Sequence, residues 1–359
     1  MKKILTTFAF SFLFLSLTHA QVSKGMLLLD GEVGLGYQTS SNDVGEGVDI
    51  TFSPIAAYFV SDHFMIGGGF ASQTILSEGG DNTSFGLVPI VRYYFNPSST
   101  NINYFAQLDG ILEFSDNGSN AFGVSLGVNK FLNANVALEG GLSFTLLEDE
   151  FADDNTGLLS LNLGIRSFLS SSDRESWGQA SSGIAPGVMM IGMSGANITL
   201  ALSEVEFLTM SLVPNVGYFF TENIVLGGAV GLSFLTGLGD VEVWSGGISI
   251  QPFARYYFTP ESRLAWFGQA SIGYAIAGSD NPTFESTTNS FDFGIAGGGN
   301  LFLTSNFALE FTVGWNINGS NTEFEDSSGF FTDNETENTL NNIGFNVGFQ
   351  YFWNRGSNK

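Results

Sequence analysis

Four charged residues stand at matched places in this sequence: Arg92 and Glu139, then Arg255 and Glu310. Each arginine sits in a similar run, Pro89-Ile-Val-Arg92-Tyr-Tyr-Phe and Pro252-Phe-Ala-Arg255-Tyr-Tyr-Phe. Each glutamate closes another, Asn135-Val-Ala-Leu-Glu139 and Asn306-Phe-Ala-Leu-Glu310. An arginine and a carboxylate enclosed together can line a narrow ion path, or pair and fill the space as a plug. A charge buried without a partner is costly, so the plug is the expected role, with Asp30, Glu32, Asp109 and Arg166 as further interior partners. Other chemistry finds little to work with. The chain has no Cys and two His, His19 and His63, so an outward-facing Ser-His-Asp arrangement is not available. Acidic stretches such as 147–154 lack the spacing of a calcium-binding hand, and no carboxylate pair is marked out for hydrolysis. The glycine runs Gly67-Gly-Gly69 and Gly297-Gly-Gly299 are followed by no helix, as a phosphate-binding loop requires. No catalytic residue, metal site or cofactor is expected.

The elements that must position these charges are strands. The matched runs belong to a longer duplication, with Pro54 answering Pro214, Gln107 answering Gln269 and Asn162 answering Asn346. The spacing between copies grows in steps confined to alternate connections. The remaining connections barely change and are short, such as Ser61-Asp62 and Asn133-Ala134. Within the copies apolar residues alternate with small or polar ones: Val136, Leu138, Leu142, Phe144 and Leu146 against Ala137, Glu139, Gly141, Ser143 and Thr145. The last run sets Ile343, Phe345, Val347, Phe349, Tyr351 and Trp353 against Asn342, Gly344, Asn346, Gly348 and Gln350. Eight such runs per copy predict sixteen strands, the last three near 288–303, 306–318 and 339–353. With no helix to cover the apolar face, lipid is its natural cover.

The N-terminus and the composition agree. Lys2-Lys3, the apolar stretch Ile4 to Leu17 and Thr18-His19-Ala20 read as a cleavable signal peptide over residues 1–20. The rest has no apolar run near the roughly 20 residues of a membrane helix. Without Lys2 and Lys3 there are nine basic residues against 35 acidic, a net of −26. Such a balance argues against nucleic acid as a partner, since phosphate contacts need clustered cations. Disorder is contradicted by 14% aromatic residues and a mean hydropathy of +0.17.

Short turns alternating with long, variable connections are the anatomy of a transmembrane antiparallel up-and-down β-barrel. Aromatics cluster at the short-turn end: Tyr58-Phe59, Tyr93-Tyr94-Phe95, Phe131, Phe168, Tyr218 to Phe220, Tyr256 to Phe258, Phe302 and Phe352-Trp353. They are expected to form an interfacial girdle. The long connections, 147–154 and 318–338 among them, carry most of the acids and are expected to face the cell exterior. Over 25–169 and 187–353 this pattern resembles the small eight-stranded outer-membrane barrels of the OmpA/OmpX/OmpW type, duplicated. The resemblance implies residence in a bacterial outer membrane and contact with its lipid and lipopolysaccharide. It also implies dependence on barrel-assembly machinery, which reads terminal aromatics such as Phe352-Trp353.

The expected organisation is a first eight-stranded repeat over 21–169, a polar periplasmic linker over 170–186, a second repeat over 187–354 and a tail over 355–359. The linker is longer than the other connections at its end, and each copy holds its own arginine and glutamate. Both points favour two closed eight-stranded barrels in tandem, with one sixteen-stranded barrel as the alternative. The expected function is non-enzymatic, a structural or surface-interaction role through acidic loops. The alternative is a porin or narrow channel for small, cationic solutes.

Overall fold

The computed structural model describes residues 22–31, 33–40, 47–77, 81–98, 102–115, 120–148, 156–175, 181–202, 206–238, 243–282, 284–326 and 334–353. The expected signal peptide, Glu32, the loop residues 149–155, linker residues 176–180 and the tail lie outside them. The first crossing of the wall is made of β1 (Leu27–Asp30) and β2 (Val33–Ser40), the second of β3 (Gly47–Phe52) and β4 (Ile55–Phe59). Then follow β5 (Phe64–Ser77), β6 (Asn82–Tyr94), β7 (Ile102–Glu113), β8 (Asn120–Phe131), β9 (Val136–Glu148) and β10 (Thr156–Leu169). A five-residue helix, α1 (Ser171–Glu175), precedes β11 (Met189–Leu202), β12 (Phe207–Phe219), β13 (Ile224–Gly237) and β14 (Trp244–Tyr257). The sheet ends with β15 (Leu264–Asp280), β16 (Phe284–Thr304), β17 (Phe307–Asp326) and β18 (Asn334–Trp353).

All pairings are antiparallel and all belong to one closed sheet, so the fold is a sixteen-stranded barrel. Two separate barrels in tandem, favoured by the linker, are therefore not what forms. The reason for the ambiguity is visible in the pairing. At the loop end β10 pairs with β11 through Leu161↔Ile198, and β18 pairs with β2 through Phe345↔Leu35. At the turn end the partners are exchanged. There β1 pairs with β10 through Leu28↔Phe168, and β11 pairs with β18 through Met190↔Phe352. One wide mouth of sixteen strands thus divides into two lobes of eight, each closed on itself.

The exchange needs local breaks in the wall. Gly31, between β1 and β2, has φ +104°, and a Cβ there would meet the Ser53 carbonyl at 2.1 Å. Only glycine takes that conformation and that approach without strain. β11 leaves lobe two and reaches β10 through a bulge between Met193 and Ala196, which bends the strand and raises its twist.

The linker begins by capping itself. Ser170 and Asp173 exchange hydrogen bonds (Ser170 N to Asp173 Oδ2 2.8 Å, Asp173 N to Ser170 Oγ 3.2 Å), which satisfies backbone donors at the start of α1. Asn135 donates to the same carboxylate at 2.8 Å and fastens the helix to the turn before β9.

Period-two alternation decides what each face meets. Outward residues such as Ile66, Leu108, Leu126, Ile248 and Phe291 are exposed along the wall. In the crotch between the lobes the outward residues are covered by protein instead of being exposed. Val136 and Leu169 of lobe one pack with Leu303, Phe307 and Tyr351 of lobe two, and Asn133 donates to the Tyr351 hydroxyl at 3.2 Å.

The segment 318–338, expected to be a loop, is mostly strand. β17 runs to Asp326 and β18 starts at Asn334, with Thr322↔Thr336 and Glu323↔Glu335 in register. Apart from Gly319↔Thr339 and Phe324↔Asn334 its pairs down to Asn338 join polar residues on both faces, so a search for apolar alternation misses them. Asn321 Nδ2 donates to Glu335 Oε1 at 2.7 Å, and the Thr288 and Thr322 hydroxyls share a hydrogen bond at 2.9 Å.

Candidate functional site: two charge-and-aromatic plugs

β6 and β9 carry Arg92 and Glu139 inward, because Val91, Tyr93, Leu138 and Gly140 take the outward positions. Arg92 Nη1 donates to Glu139 Oε2 at 2.5 Å and Nη2 to Oε1 at 3.2 Å, a two-armed contact between planar groups. Arg92 Nε donates to Gln107 Oε1 at 2.7 Å, and Nη1 also reaches the Tyr94 hydroxyl at 3.1 Å. That hydroxyl donates to Asn129 Oδ1 at 2.8 Å, and Asn129 Nδ2 returns to Glu139 Oε2 at 2.8 Å. The guanidinium lies 3.8 Å from the Phe105 ring centroid, where the ring's negative face attracts it.

Lobe two repeats the arrangement. Arg255 donates to Glu310 at 2.6 and 3.0 Å, to Gln269 at 2.8 Å and to the Tyr257 hydroxyl at 3.2 Å. Tyr257 donates to Asn300 at 2.7 Å, and Asn300 donates to Glu310 at 2.9 Å. The guanidinium stands 3.8 Å from the Phe267 centroid. In each lobe the charges are desolvated but paired and hydrogen-bonded to their neighbours, the condition under which a buried pair is tolerated.

Beyond each cluster, toward the turns, the bore is filled with rings. Phe59, Tyr94, Phe131 and Phe168 are buried in lobe one, and Phe219, Tyr257, Phe302 and Phe352 in lobe two. Phe131 and Phe168 centroids lie 5.0 Å apart, and Phe302 and Phe352 4.8 Å apart. This corrects the expected girdle. Alternation sends only every second aromatic outward, so Tyr58, Phe95, Tyr218, Phe220, Tyr256 and Phe258 are exposed while their neighbours fill the lobes. The same narrowness explains Gly67, where a Cβ would lie 2.3 Å from the Ala57 Cβ.

The remaining expected partners divide. Arg166 Nε donates to Glu139 Oε1 at 3.0 Å and Arg166 Nη1 is paired with Asp30, so lobe one has a second arginine on its glutamate. Asp109 makes no ion pair among the described residues; it accepts from Gln107 Nε2 at 2.9 Å. Asp49 and Asp292 stand likewise, held by Gln73 at 3.0 Å and Gln251 at 3.0 Å. Gln107, Gln269, Asn129 and Asn300 were not assigned a role from sequence, although their matched positions are the signal that finds them. His63 stays in its turn, its Nδ1 2.7 Å from the Tyr94 carbonyl oxygen.

No family model matches the sequence, and no curated protein matches it. Among solved structures it is similar to the outer membrane protein OprG from Pseudomonas aeruginosa, with 12% identity and a TM-score of 0.31, covering 47% of this chain and 97% of that one. It is similar to a bacterial polysaccharide outer membrane secretin at 10% identity and TM-score 0.45, covering 91% and 99%. A third, Pseudomonas aeruginosa OccK2, gives 11% identity and TM-score 0.33, covering 94% and 100%. At such scores none of these likenesses assigns a function to this chain.

Proposed function

We propose that the chain is a non-enzymatic β-barrel of a bacterial outer membrane, exported by its signal peptide and closed to through-flow at its turn end. Its work is then done at the wide loop end, where acidic loops meet lipopolysaccharide, neighbouring cells or other surface ligands. The exposed apolar outer face supports lipid as its surroundings. The matched clusters support descent from a duplicated eight-stranded barrel, with turns in the periplasm and loops outside, inserted by barrel-assembly machinery.

The observation that carries the closed reading is the filling of both lobes. Phe59, Tyr94, Phe131, Phe168, Phe219, Tyr257, Phe302 and Phe352 are all at most 1% exposed, and each lobe adds a paired arginine and glutamate. An eight-stranded ring has room for side chains and no more.

Asp49, Asp109 and Asp292, without cationic partners among the described residues, support a second reading, a channel that passes cations. Planar-bilayer recording of the refolded, signal-free protein separates the two. A silent membrane with correct heat-sensitive gel migration supports the plugged barrel. Large, stable, cation-selective steps would overturn it and establish the channel.

A further inference from the structure

The two lobes share the arginine, glutamate, glutamine, tyrosine and asparagine of their clusters but differ in which side chains stand beside the glutamate. Glu139 is paired across strands with Gly164, and Glu310 with Gly348. Two residues further along β10 and β18 stand Arg166 and Gln350. One step beyond the last paired residues Leu29↔Ser167 and Ile191↔Tyr351, Arg166 faces Asp30 and Gln350 faces Gly192. Lobe one therefore holds a second guanidinium on its glutamate, and lobe two holds none.

Beside the lobe-two glutamate lies space. A cavity of about 630 Å³ shared by the two copies is lined by Glu310, Gln350, Gly192 and Asn215 on one side and by Asp30, Asp49 and Thr51 on the other, and extends into the crotch between the lobes. That volume is in the range of about 300–1,000 Å³ usual for small-molecule sites. Its glutamate side chain is 17% exposed, against 9% for Glu139 under its two arginines. Gln350 is 5% exposed, lines the cavity, and its Nε2 has no hydrogen-bond partner. Nε2 is a donor, so its place lacks an acceptor; with the amide turned over the same place holds a carbonyl, which the N–H of a bound group would satisfy. Toward the crotch the wall turns apolar, with Leu29, Ile165, Ile191 and Phe349.

We propose that this cavity is a binding site for a small cationic amphiphile, an alkylguanidinium or alkylammonium. Its head takes the place in lobe two that the Arg166 guanidinium takes in lobe one. The cation sits against the Glu310 carboxylate. The Gln350 amide, turned over, offers its carbonyl to the head's N–H groups, since the two orientations of a terminal amide have the same shape. The alkyl body lies against Ile191 and Phe349, as an arginine stem lies along apolar surface. Anions are excluded, because Glu310, Asp30 and Asp49 all line the cavity. The site is independent of whether the barrel conducts.

The test is calorimetric titration of the signal-free protein, refolded in nonionic detergent micelles, with n-butylguanidinium, n-butanol and n-butyrate. Empty micelles give the background, and heat-sensitive gel migration confirms the fold of each variant. The expected result is one equivalent of butylguanidinium bound, with butanol and butyrate at least tenfold weaker. Gln350→Arg, which places a guanidinium in the cavity from the protein itself, abolishes binding. Should that variant not fold, Gln350→Met keeps the side-chain length and removes the amide, and weakens binding at least tenfold. Heats no different from empty micelles, equal binding of butanol or butyrate, or unchanged binding by a folded Gln350 variant would each overturn the proposal.

Discussion

Removing one carboxylate from each plug in turn is the sharpest test of what holds the lobes shut. In lobe one Glu139 accepts from Arg92 at 2.5 and 3.2 Å, from Arg166 at 3.0 Å and from Asn129 at 2.8 Å. Glu139→Gln keeps the shape but removes the charge that offsets two guanidinium groups, of which Asp30 faces only one. Breaking a buried pair from one side costs about 3–5 kcal/mol, because the surviving charge stays desolvated. Glu310→Gln in lobe two strands only Arg255, at a glutamate more open to the cavity, so its cost belongs at the lower end of that range. The difference between the two variants is expected to be about 1–2 kcal/mol, the spread of that range. The assay is reversible urea unfolding in phospholipid vesicles, followed by tryptophan fluorescence and by heat-sensitive gel migration. The double variant Arg255→Leu/Glu310→Leu, in the lobe where the glutamate has one arginine, is expected to recover much of the Glu310→Gln loss, since two apolar groups replace a pair whose desolvation is then no longer incurred. Should Glu139→Gln lie within 1 kcal/mol of the parent, or the double variant lose as much as the single ones added, the charges are not what secures the plug.

Further outcomes follow from the same geometry. Ser160 and Thr199 hydroxyls meet at 2.9 Å across β10 and β11, so Ser160→Cys with Thr199→Cys is expected to cross-link in the folded barrel; a free thiol pair under oxidation would mean that the lobes are separate there. Gly31→Ala puts a methyl group against the Ser53 carbonyl in a left-handed conformation, and is expected to cost about 1–3 kcal/mol in the same urea assay; an unchanged midpoint would show that the strand exchange does not depend on this break. Tyr94→Phe and Tyr257→Phe each remove a hydroxyl that bridges arginine to asparagine, with a loss of about 1 kcal/mol expected in each lobe, and unequal losses would contradict the matched geometry. Glu323 stands opposite Glu335 at the loop end, so Glu323→Lys is expected to slow proteolytic nicking of that ribbon, and faster nicking would count against the register.

Much of this barrel is determined by local pattern. Strand periodicity alone turns Arg92, Glu139, Arg255 and Glu310 to the side opposite Val91, Leu138, Ala254 and Leu309, because successive side chains on a strand point to opposite faces. The alternation also separates Tyr93 from Tyr94 and Tyr256 from Tyr257, although the clustering of aromatics at one end obscures that only every second one faces outward. The polar ribbon of β17 and β18 was not legible, since Thr, Asn and Glu on both faces carry no amphipathic signal. What only the tertiary structure decides is the choice of strand partner. β10 bonds β1 at one end and β11 at the other, and β18 bonds β11 and then β2. Each strand's own alternation is satisfied by either neighbour, because backbone hydrogen bonds are indifferent to sequence. The division into lobes rests on how the rings and charges pack in a space that forms only once the sheet has closed. The cavity at Gln350 has the same origin: nothing local to Gln350 or Gly192 reveals that together they leave Glu310 without a second cation.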